Sequence, residues 1–116
     1  MKKKDPYKQY IEITLSMLNT KWTPLIIKEL LTGTKRFGEL KDSVGTITQK
    51  VLTTNLRTME ENGLVERKVY KEVPPRVEYT LTNIGYTLAD VLDSMANWGE
   101  LYKEFKKILA KQNKNS

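Results

Sequence analysis

The sequence predicts a mainly helical α+β domain in which a β-hairpin separates two groups of helices. Apolar residues recur at helical spacing through most of the chain, and the spacing changes to strict alternation over residues 64–81. Glycine or proline stands at most of the junctions between these segments. With 116 residues, of which 39% are hydrophobic, the chain is long enough to bury one core. We therefore expect a single domain over residues 1–116.

The first predicted helix carries two apolar stripes and runs from about Pro6 to Leu18. One stripe would pack against its own domain and the other against a partner chain. A helix buried wholly within one subunit would explain the same pattern. The two stripes consist of Ile11, Leu15 and Leu18, and of Tyr10, Ile13 and Met17.

The second predicted helix has clear start and stop signals. Thr23 is expected to be its N-cap, with Pro24 in the first turn and Gly33 just after the last turn. Trp22, directly before it, is expected in the core rather than against a ligand. The positions expected to be buried are Leu25, Ile26, Ile27, Leu30 and Leu31.

Two short helices joined by a glycine-containing turn are predicted over about residues 36–62. In the first, Phe37, Leu40 and Val44 recur at helical spacing before Gly45 ends it. Thr48 is expected to cap the second, which ends near residue 62. Helices of this size with a tight turn between them are typical of a helix-turn-helix. The apolar face of the second helix consists of Val51, Leu52, Leu56 and Met59.

Two strands are predicted next, over residues 64–71 and 77–81. Because proline cannot donate a ladder hydrogen bond, Pro74 and Pro75 are expected at the tip of the hairpin. A β-hairpin that directly follows a helix-turn-helix forms a wing. The predicted fold is therefore a winged helix-turn-helix, with the wing at about residues 64–81.

A long last helix is predicted over about residues 83–110, with Thr82 as its N-cap. At about 28 residues it would be roughly 42 Å long, whereas a compact domain of this size has a radius near 13–14 Å. Its apolar stripe would extend beyond its own domain, and a second copy of the chain is the simplest cover. The polar tail over residues 111–116 is expected to fray. The N- and C-terminal helices are expected to form a homodimer through Ile13, Met17, Leu92, Met95, Trp98, Tyr102 and Phe105.

The outward face of the second helix of the helix-turn-helix carries side chains suited to double-stranded DNA. Such a helix lies in the major groove with its N-terminal part against the base edges. Gln pairs with adenine, Arg with guanine or phosphate, and Thr can meet a thymine methyl, so the row of Gln49, Thr53 and Arg57 fits this role. Glu60 and Glu61 are expected at the far end, where phosphate repulsion is weakest. The predicted DNA contacts of this helix are Thr48, Gln49, Lys50, Thr53, Thr54 and Arg57.

Basic residues outside this helix are expected to contact the DNA backbone or the minor groove. They are Arg36 before the helix-turn-helix, and Arg67, Lys68 and Arg76 on the wing, with Arg76 favoured at the wing tip. Strand alternation means that the wing residues cannot all face DNA. The chain has a net charge of +6, but residues 48–63 have none, because two basic residues offset two acidic ones. Any amphipathic helix has a polar outer face. The prediction of DNA binding therefore depends largely on the wing that follows this helix.

The composition excludes several kinds of chemistry. The chain has no cysteine and no histidine, which removes disulfides, thiolate metal sites, a cysteine nucleophile and the commonest general base. No phosphate-binding glycine loop or serine elbow is present in the sequence. We expect no enzyme activity, no metal and no cofactor.

The N-terminus does not resemble a secretion signal. Lys2, Lys3 and Lys4 begin the chain, but residues 7–12 mix polar and apolar side chains instead of forming an apolar run. The three lysines are expected to form a solvated tail. No apolar stretch reaches membrane-spanning length, so we expect a cytoplasmic protein without a membrane partner.

Several sequence segments resemble the HxlR-type family of bacterial winged-helix transcription regulators over roughly residues 9–110. The resemblance implies a dimeric DNA-binding regulator in which the terminal helices form the dimer. Many members carry an N-terminal cysteine, and some sense oxidants with it; Gln9 stands at that position here, which rules out thiol sensing. The usual glycine pair before Lys-Trp is Asn19-Thr20. The matching segments are Lys21 to Thr23, Arg36 to Leu40, Ile47 to Thr53, Leu56-Arg57, Glu61 to Val65 with Arg67, Val73 to Tyr79, and Leu81 to Gly85.

The sequence favours a homodimeric transcriptional regulator over an enzyme and over a protein–protein interaction module. A protein–protein interaction module that kept the wing but lost DNA binding is the alternative, although its surface would tolerate apolar residues where this helix is polar. A small-molecule effector would find Tyr7, Trp22, Trp98 and Tyr102 between the dimerisation helices. Aromatic residues at helical spacing are more often ordinary core residues.

Overall fold

The computed structural model describes residues 5–114, so the three N-terminal lysines and the last two residues lie outside the described residues. Between residues 5 and 114 the chain forms six helices and one antiparallel sheet with strand order β1-β3-β2. No helix in this range is long and apolar enough to cross a membrane. The elements are α1 (Pro6–Met17), α2 (Trp22–Leu30), β1 (Lys35–Arg36), α3 (Phe37–Val44), α4 (Gln49–Glu61), β2 (Val65–Tyr70), β3 (Arg76–Leu81), α5 (Asn83–Tyr86) and α6 (Leu88–Lys114).

The core lies where α2, α3 and α4 pack against one face of the sheet. Helix α2 supplies Ile26, Ile27 and Leu30, all fully buried, and α3 supplies Leu40. Aliphatic residues at helical spacing explain why each helix turns this face inward. The remaining buried apolar residues are Ile47, Leu52, Leu56, Met59, Leu64, Val65, Tyr79 and Leu81.

The start of α2 differs from the sequence prediction. The helix begins at Trp22, and Thr23 lies inside it, 4% exposed, rather than capping it. The hydroxyl oxygen of Thr20 instead accepts a hydrogen bond from the Thr23 backbone N–H at 3.2 Å. Trp22 is half-buried against the core, as expected. Leu25 was expected in the core but is 43% exposed.

A two-residue strand precedes α3, and the sequence did not predict it. In β1, Lys35 pairs with Tyr79 and Arg36 with Glu78 of β3. Two residues are too few to show alternation, so no periodic signal marks this strand. It ties the start of the helix-turn-helix to the wing, and α3 begins directly after it.

The wing is a hairpin of β2 and β3 whose inner face is mostly apolar but also carries Arg67. Val65 pairs with Leu81, and Arg67 with Tyr79, so these side chains share the face turned toward α4. The predicted position of the two prolines at the tip is confirmed, and the Val73–Pro74 peptide is cis. Arg76 was expected at the tip but is the first residue of β3.

The predicted last helix is two helices, α5 and α6. Thr82 caps α5 as predicted, accepting from the Gly85 N–H at 3.2 Å while its own hydroxyl donates to the Gly63 carbonyl at 2.6 Å. Gly85 is buried because the backbone of Leu64 passes directly beside it, and any Cβ there would clash with the Leu64 carbonyl oxygen. This close approach holds α5 against the residue that precedes β2, and α6 begins after one intervening residue, at Leu88.

Helix α6 extends beyond the body of the domain, as predicted. Its 27 residues span about 40 Å, and the radius of gyration is 18.4 Å against about 13 Å for a compact chain of this length. The helix continues to Lys114, so the expectation that residues from 111 onward would fray was wrong for the described part. Neither α1 nor α6 contains a buried residue over its whole length.

Candidate nucleic-acid interface

Helix α4 is fixed with one face in the core and the opposite face free. Thr48 caps it by accepting a hydrogen bond from the Val51 N–H at 3.2 Å, as predicted. Leu52, Leu56 and Met59 are at most 1% exposed, and this burial sets which face points outward. The residues left exposed on α4 and at its cap include all six predicted contacts: Thr48, Gln49, Lys50, Thr53, Thr54 and Arg57.

The two threonines on this face have already used their hydroxyl protons. Thr53 donates to the Gln49 carbonyl at 2.8 Å, and Thr54 donates to the Lys50 carbonyl at 3.0 Å. Each threonine can therefore offer a methyl group and acceptor lone pairs to a ligand, but not a free proton. The free donors on this face are the side chains of Gln49, Lys50 and Arg57, which suits base acceptors and phosphates.

A cleft of about 220 Å³ lies between α4 and the inner face of the wing. It is lined by Thr53, Arg57, Glu60, Arg67 and Tyr79. A carboxylate oxygen of Glu60 lies 3.5 Å from Nε of Arg67. Glu60 lies at the far end of α4, as expected, but the wing brings Arg67 beside it, and Glu60 is the one acidic residue lining this cleft.

Burial of Tyr79 raises the pKa of its hydroxyl, while the positive charge of Arg67 lowers it and the negative charge of Glu60 raises it. Tyr79 therefore stays a neutral phenol at the floor of the cleft. A neutral hydroxyl between two arginines adds no repulsion toward an anion. The cleft has a net positive charge, since Arg57 and Arg67 outnumber Glu60.

The outer face of the wing holds a second basic group, but much of its charge is offset. The Arg76 guanidinium lies 4.0 Å from the ring centre of Tyr70, and its nitrogens lie 3.4 Å from Glu72 and 3.5 Å from Glu78. Lys68 Nζ lies 4.8 Å from the same ring. Arg76 is thus held against the strand by two carboxylates, whereas Lys68 remains exposed.

Arg36 belongs with this outer group and not with α4. It pairs with Glu78 in the sheet, it is exposed, and it lines a cleft that includes Pro74, Pro75 and Arg76. The predicted contacts therefore form two groups. One group combines the face of α4 with Arg67, and the other lies along the outer edge of the wing.

The predicted dimer residues mostly form an exposed apolar surface. Trp98 stacks on Tyr102 with ring centres 5.3 Å apart, and Phe105 follows Tyr102 at 6.0 Å. Trp98 is 63% exposed, and Ile13, Met95, Tyr102 and Phe105 are each about half exposed. Met17 and Leu92 instead pack partly against the core of their own chain.

An apolar groove of about 500 Å³ runs between α1 and α6. Tyr7 lines this groove, together with Tyr10, Leu15 and Met95. Of the four aromatic residues considered for an effector, Trp98 and Tyr102 stack along α6 and Trp22 packs against the core.

Among residues 5–114, no group of three or more acidic, histidine or cysteine side chains could hold a metal ion.

Asn55 is a functional candidate that the sequence analysis did not identify. It is 8% exposed and lies on the inner face of α4, between Leu52 and Met59. The helical spacing did place position 55 on the apolar face, and a polar residue there is a signal for a buried hydrogen-bond network. Its partners, Thr20 and Thr23, are far away in the sequence.

Comparisons with known proteins agree with this architecture. A family model for HxlR-like helix-turn-helix proteins matches residues 17–107. The HTH-type transcriptional regulator YdeP of Bacillus subtilis is 45% identical over 94 residues, which cover 81% of this chain and 73% of YdeP.

Solved structures show the same fold. A protein from Enterococcus faecalis V583, named as a transcriptional regulator of the MarR family, has a TM-score of 0.75 and 47% identity, and the match covers 91% of this chain and 94% of that one. The redox regulator HypR in its oxidised form has a TM-score of 0.71 and 42% identity, over 78% of this chain and 93% of HypR. The predicted α+β winged-helix fold is confirmed.

Proposed function

This chain belongs to the HxlR-like helix-turn-helix family of transcriptional regulators, and we propose that it binds double-stranded DNA as a homodimer through α4 and the wing. The observation that carries this proposal is the exposed face of α4. Its opposite face is sealed into the core, while its first two turns present only polar and basic side chains. The second helix of a helix-turn-helix enters the major groove in this orientation.

Sequence discrimination falls to three side chains of α4. Gln49 suits adenine and Arg57 suits guanine, because each can form two hydrogen bonds to the base edge. Thr53 lies between them in the same row. Because its hydroxyl already donates to the Gln49 carbonyl, it offers the groove only its methyl group and an acceptor oxygen. Lys50 and Thr54 flank this row and contact the backbone or neighbouring bases.

Backbone contacts come from the basic residues around this row. Arg67 is adjacent to Arg57 across the cleft and lies beside the phosphates that flank the recognition helix, although Glu60 competes with them for its guanidinium. Arg36 and Lys68 are exposed and serve the outer edge of the wing. Arg76 contributes least, because Glu72 and Glu78 already offset its charge. Such contacts set register and affinity rather than sequence choice.

The homodimer forms through α1 and the overhanging part of α6. These helices expose the aromatic stack of Trp98, Tyr102 and Phe105 to solvent, and an apolar surface of this extent calls for a partner. A two-fold dimer covers the same surface on both copies and presents two copies of α4 to successive major grooves. As a regulator bound to the chromosome, the protein acts in the cytoplasm.

Any effector that regulates DNA binding by this chain acts without thiol chemistry. HypR is named a redox regulator, but this chain contains no cysteine. The groove between α1 and α6 suits an apolar small molecule, since Tyr7, Ile11, Leu15 and Met95 line it. Its position beside the proposed dimer surface would let a ligand alter the spacing of the two copies of α4.

Fluorescence anisotropy tests the DNA-binding proposal. The protein is titrated into a labelled duplex from upstream of its own gene and into a scrambled duplex, over a salt series. Preference for the first duplex that survives physiological salt supports a sequence-specific regulator. Absence of binding to either duplex at low salt would contradict the proposal and favour a protein–protein interaction module on a winged-helix scaffold.

A further inference from the structure

A partly buried polar network joins the recognition helix to the segment between α1 and α2. The Oδ1 atom of Asn55 accepts hydrogen bonds from the Thr20 hydroxyl at 2.7 Å and the Thr23 hydroxyl at 3.1 Å. The Asn55 Nδ2 donates to the Val51 carbonyl at 2.8 Å, which fixes the orientation of the amide. The two threonine hydroxyl oxygens are 2.9 Å apart. Asn55 and Thr23 are the only polar residues buried among residues 5–114.

The network starts at the end of α1. Leu18 is the C-cap of α1, and Thr20 follows it by two residues. Thr20 is therefore placed to move with α1, whose exposed apolar side chains belong to the proposed dimer surface. Its hydroxyl then contacts the middle of α4, 35 positions further along the chain.

Hydrogen bonds restrict the rotation of α4 in a way that its apolar contacts do not. Burial of Leu52, Leu56 and Met59 is non-directional, so it defines the orientation of α4 less sharply than a hydrogen bond does. At a side-chain radius of about 6 Å, a roll of about 10° moves a side-chain tip by roughly 1 Å. Base-edge hydrogen bonds depend on distances that vary by only a few tenths of an ångström. The two directional bonds to Asn55 therefore restrict the orientation that Gln49 and Arg57 need.

We propose that Asn55 is a positioning residue for base recognition, and that its bonds to Thr20 and Thr23 set the roll of α4 according to the position of α1. This inference rests on the proposed DNA-binding function.

Three variants isolate the Thr20 hydroxyl. Thr20→Val removes it while preserving the shape of the side chain, and Thr20 is exposed, so the chain should still fold. Thr20→Ser keeps the hydroxyl and should restore wild-type behaviour. Thr32→Val is the matched control, because Thr32 is an exposed threonine beyond the other end of α2 whose hydroxyl bonds only to its local Glu29 carbonyl.

Two measurements compare these variants with the wild type. In anisotropy titrations, Thr20→Val should lower the ratio of specific to scrambled-duplex affinity about tenfold, with scrambled-duplex binding within twofold of wild type. In hydrogen exchange without DNA, the amides of residues 52–58 should exchange several-fold faster in Thr20→Val but not in Thr20→Ser or Thr32→Val.

The two measurements separate the failure of this inference from the failure of the proposed function. A wild-type protein that binds neither duplex at low salt would contradict the DNA-binding proposal, while the exchange measurement would still test the network. A Thr20→Val variant with a wild-type specificity ratio, or with unchanged exchange in α4, would overturn the positioning role of Asn55. Equal losses in Thr20→Val and Thr20→Ser would assign the effect to side-chain size and overturn it as well.

Discussion

Replacement of Glu60 by glutamine should strengthen DNA binding and make it more sensitive to salt. The Glu60 carboxylate holds Arg67 at 3.5 Å in the cleft beside the recognition helix, where it competes with phosphate for that guanidinium. Both side chains are 40–46% exposed, so the ion pair itself contributes at most about 1 kcal/mol to folding, and the variant should remain folded. Glutamine keeps the size of the side chain and removes its charge.

The expected change in salt dependence follows from the freeing of the Arg67 guanidinium to contact one DNA phosphate. One added phosphate contact steepens the slope of log K against log salt by about 0.9. The advantage of Glu60→Gln over wild type should therefore shrink about 3.5-fold between about 50 and 200 mM salt. The assay is anisotropy with the scrambled duplex, in which base contacts play no part.

A control variant separates this local effect from the general loss of a negative charge. Glu61→Gln removes a neighbouring carboxylate that does not line the cleft, so its salt slope should stay close to that of wild type. Identical slopes for Glu60→Gln and wild type, or weaker binding by the variant, would refute the argument that Glu60 restrains Arg67.

Three further predictions test other parts of the structure. Arg57→Ala should reduce specific binding by about 1–3 kcal/mol and leave scrambled-duplex binding much less affected, as measured by anisotropy; an equal loss on both duplexes would assign Arg57 to phosphate. Trp98→Asp should give monomers in sedimentation velocity, whereas Lys107→Asp, on the opposite side of α6, should not; a dimeric Trp98→Asp variant would refute the proposed interface. Gly85→Ala should lower the free energy of unfolding by about 1–3 kcal/mol, because its Cβ meets the Leu64 carbonyl, while Gly38→Ala, which has open space, should not destabilise; chemical denaturation that shows equal stability for both would contradict this contact.

Much of the fold could be predicted because its signals are local. Thr48 and Thr82 cap their helices as expected, since a cap depends only on residues two or three positions away. The switch from helical spacing to alternation located the wing, and the length of the last apolar stripe predicted that α6 would extend beyond the domain. The exposed face of α4 followed from its own periodicity.

The errors occurred where a side chain's role depends on which distant elements it meets. Thr23 looked like an N-cap, but its hydroxyl faces Asn55 of another helix. Arg76 was expected at the wing tip, but it begins β3, where the sheet brings Glu78 and Tyr70 beside it. Glu60 lies at the far end of α4 as predicted, but no local signal indicated that the wing would place Arg67 against it.

The sequence by itself determined the order of the main helices and of the wing, the caps of α4 and α5, and the polar character of the recognition face, because these properties follow from the spacing of neighbouring residues. Only the tertiary structure decided which charges remain available to DNA and how α4 is held. Ion pairs and buried hydrogen bonds form between atoms within about 4 Å in space, and separation along the chain does not reveal that proximity.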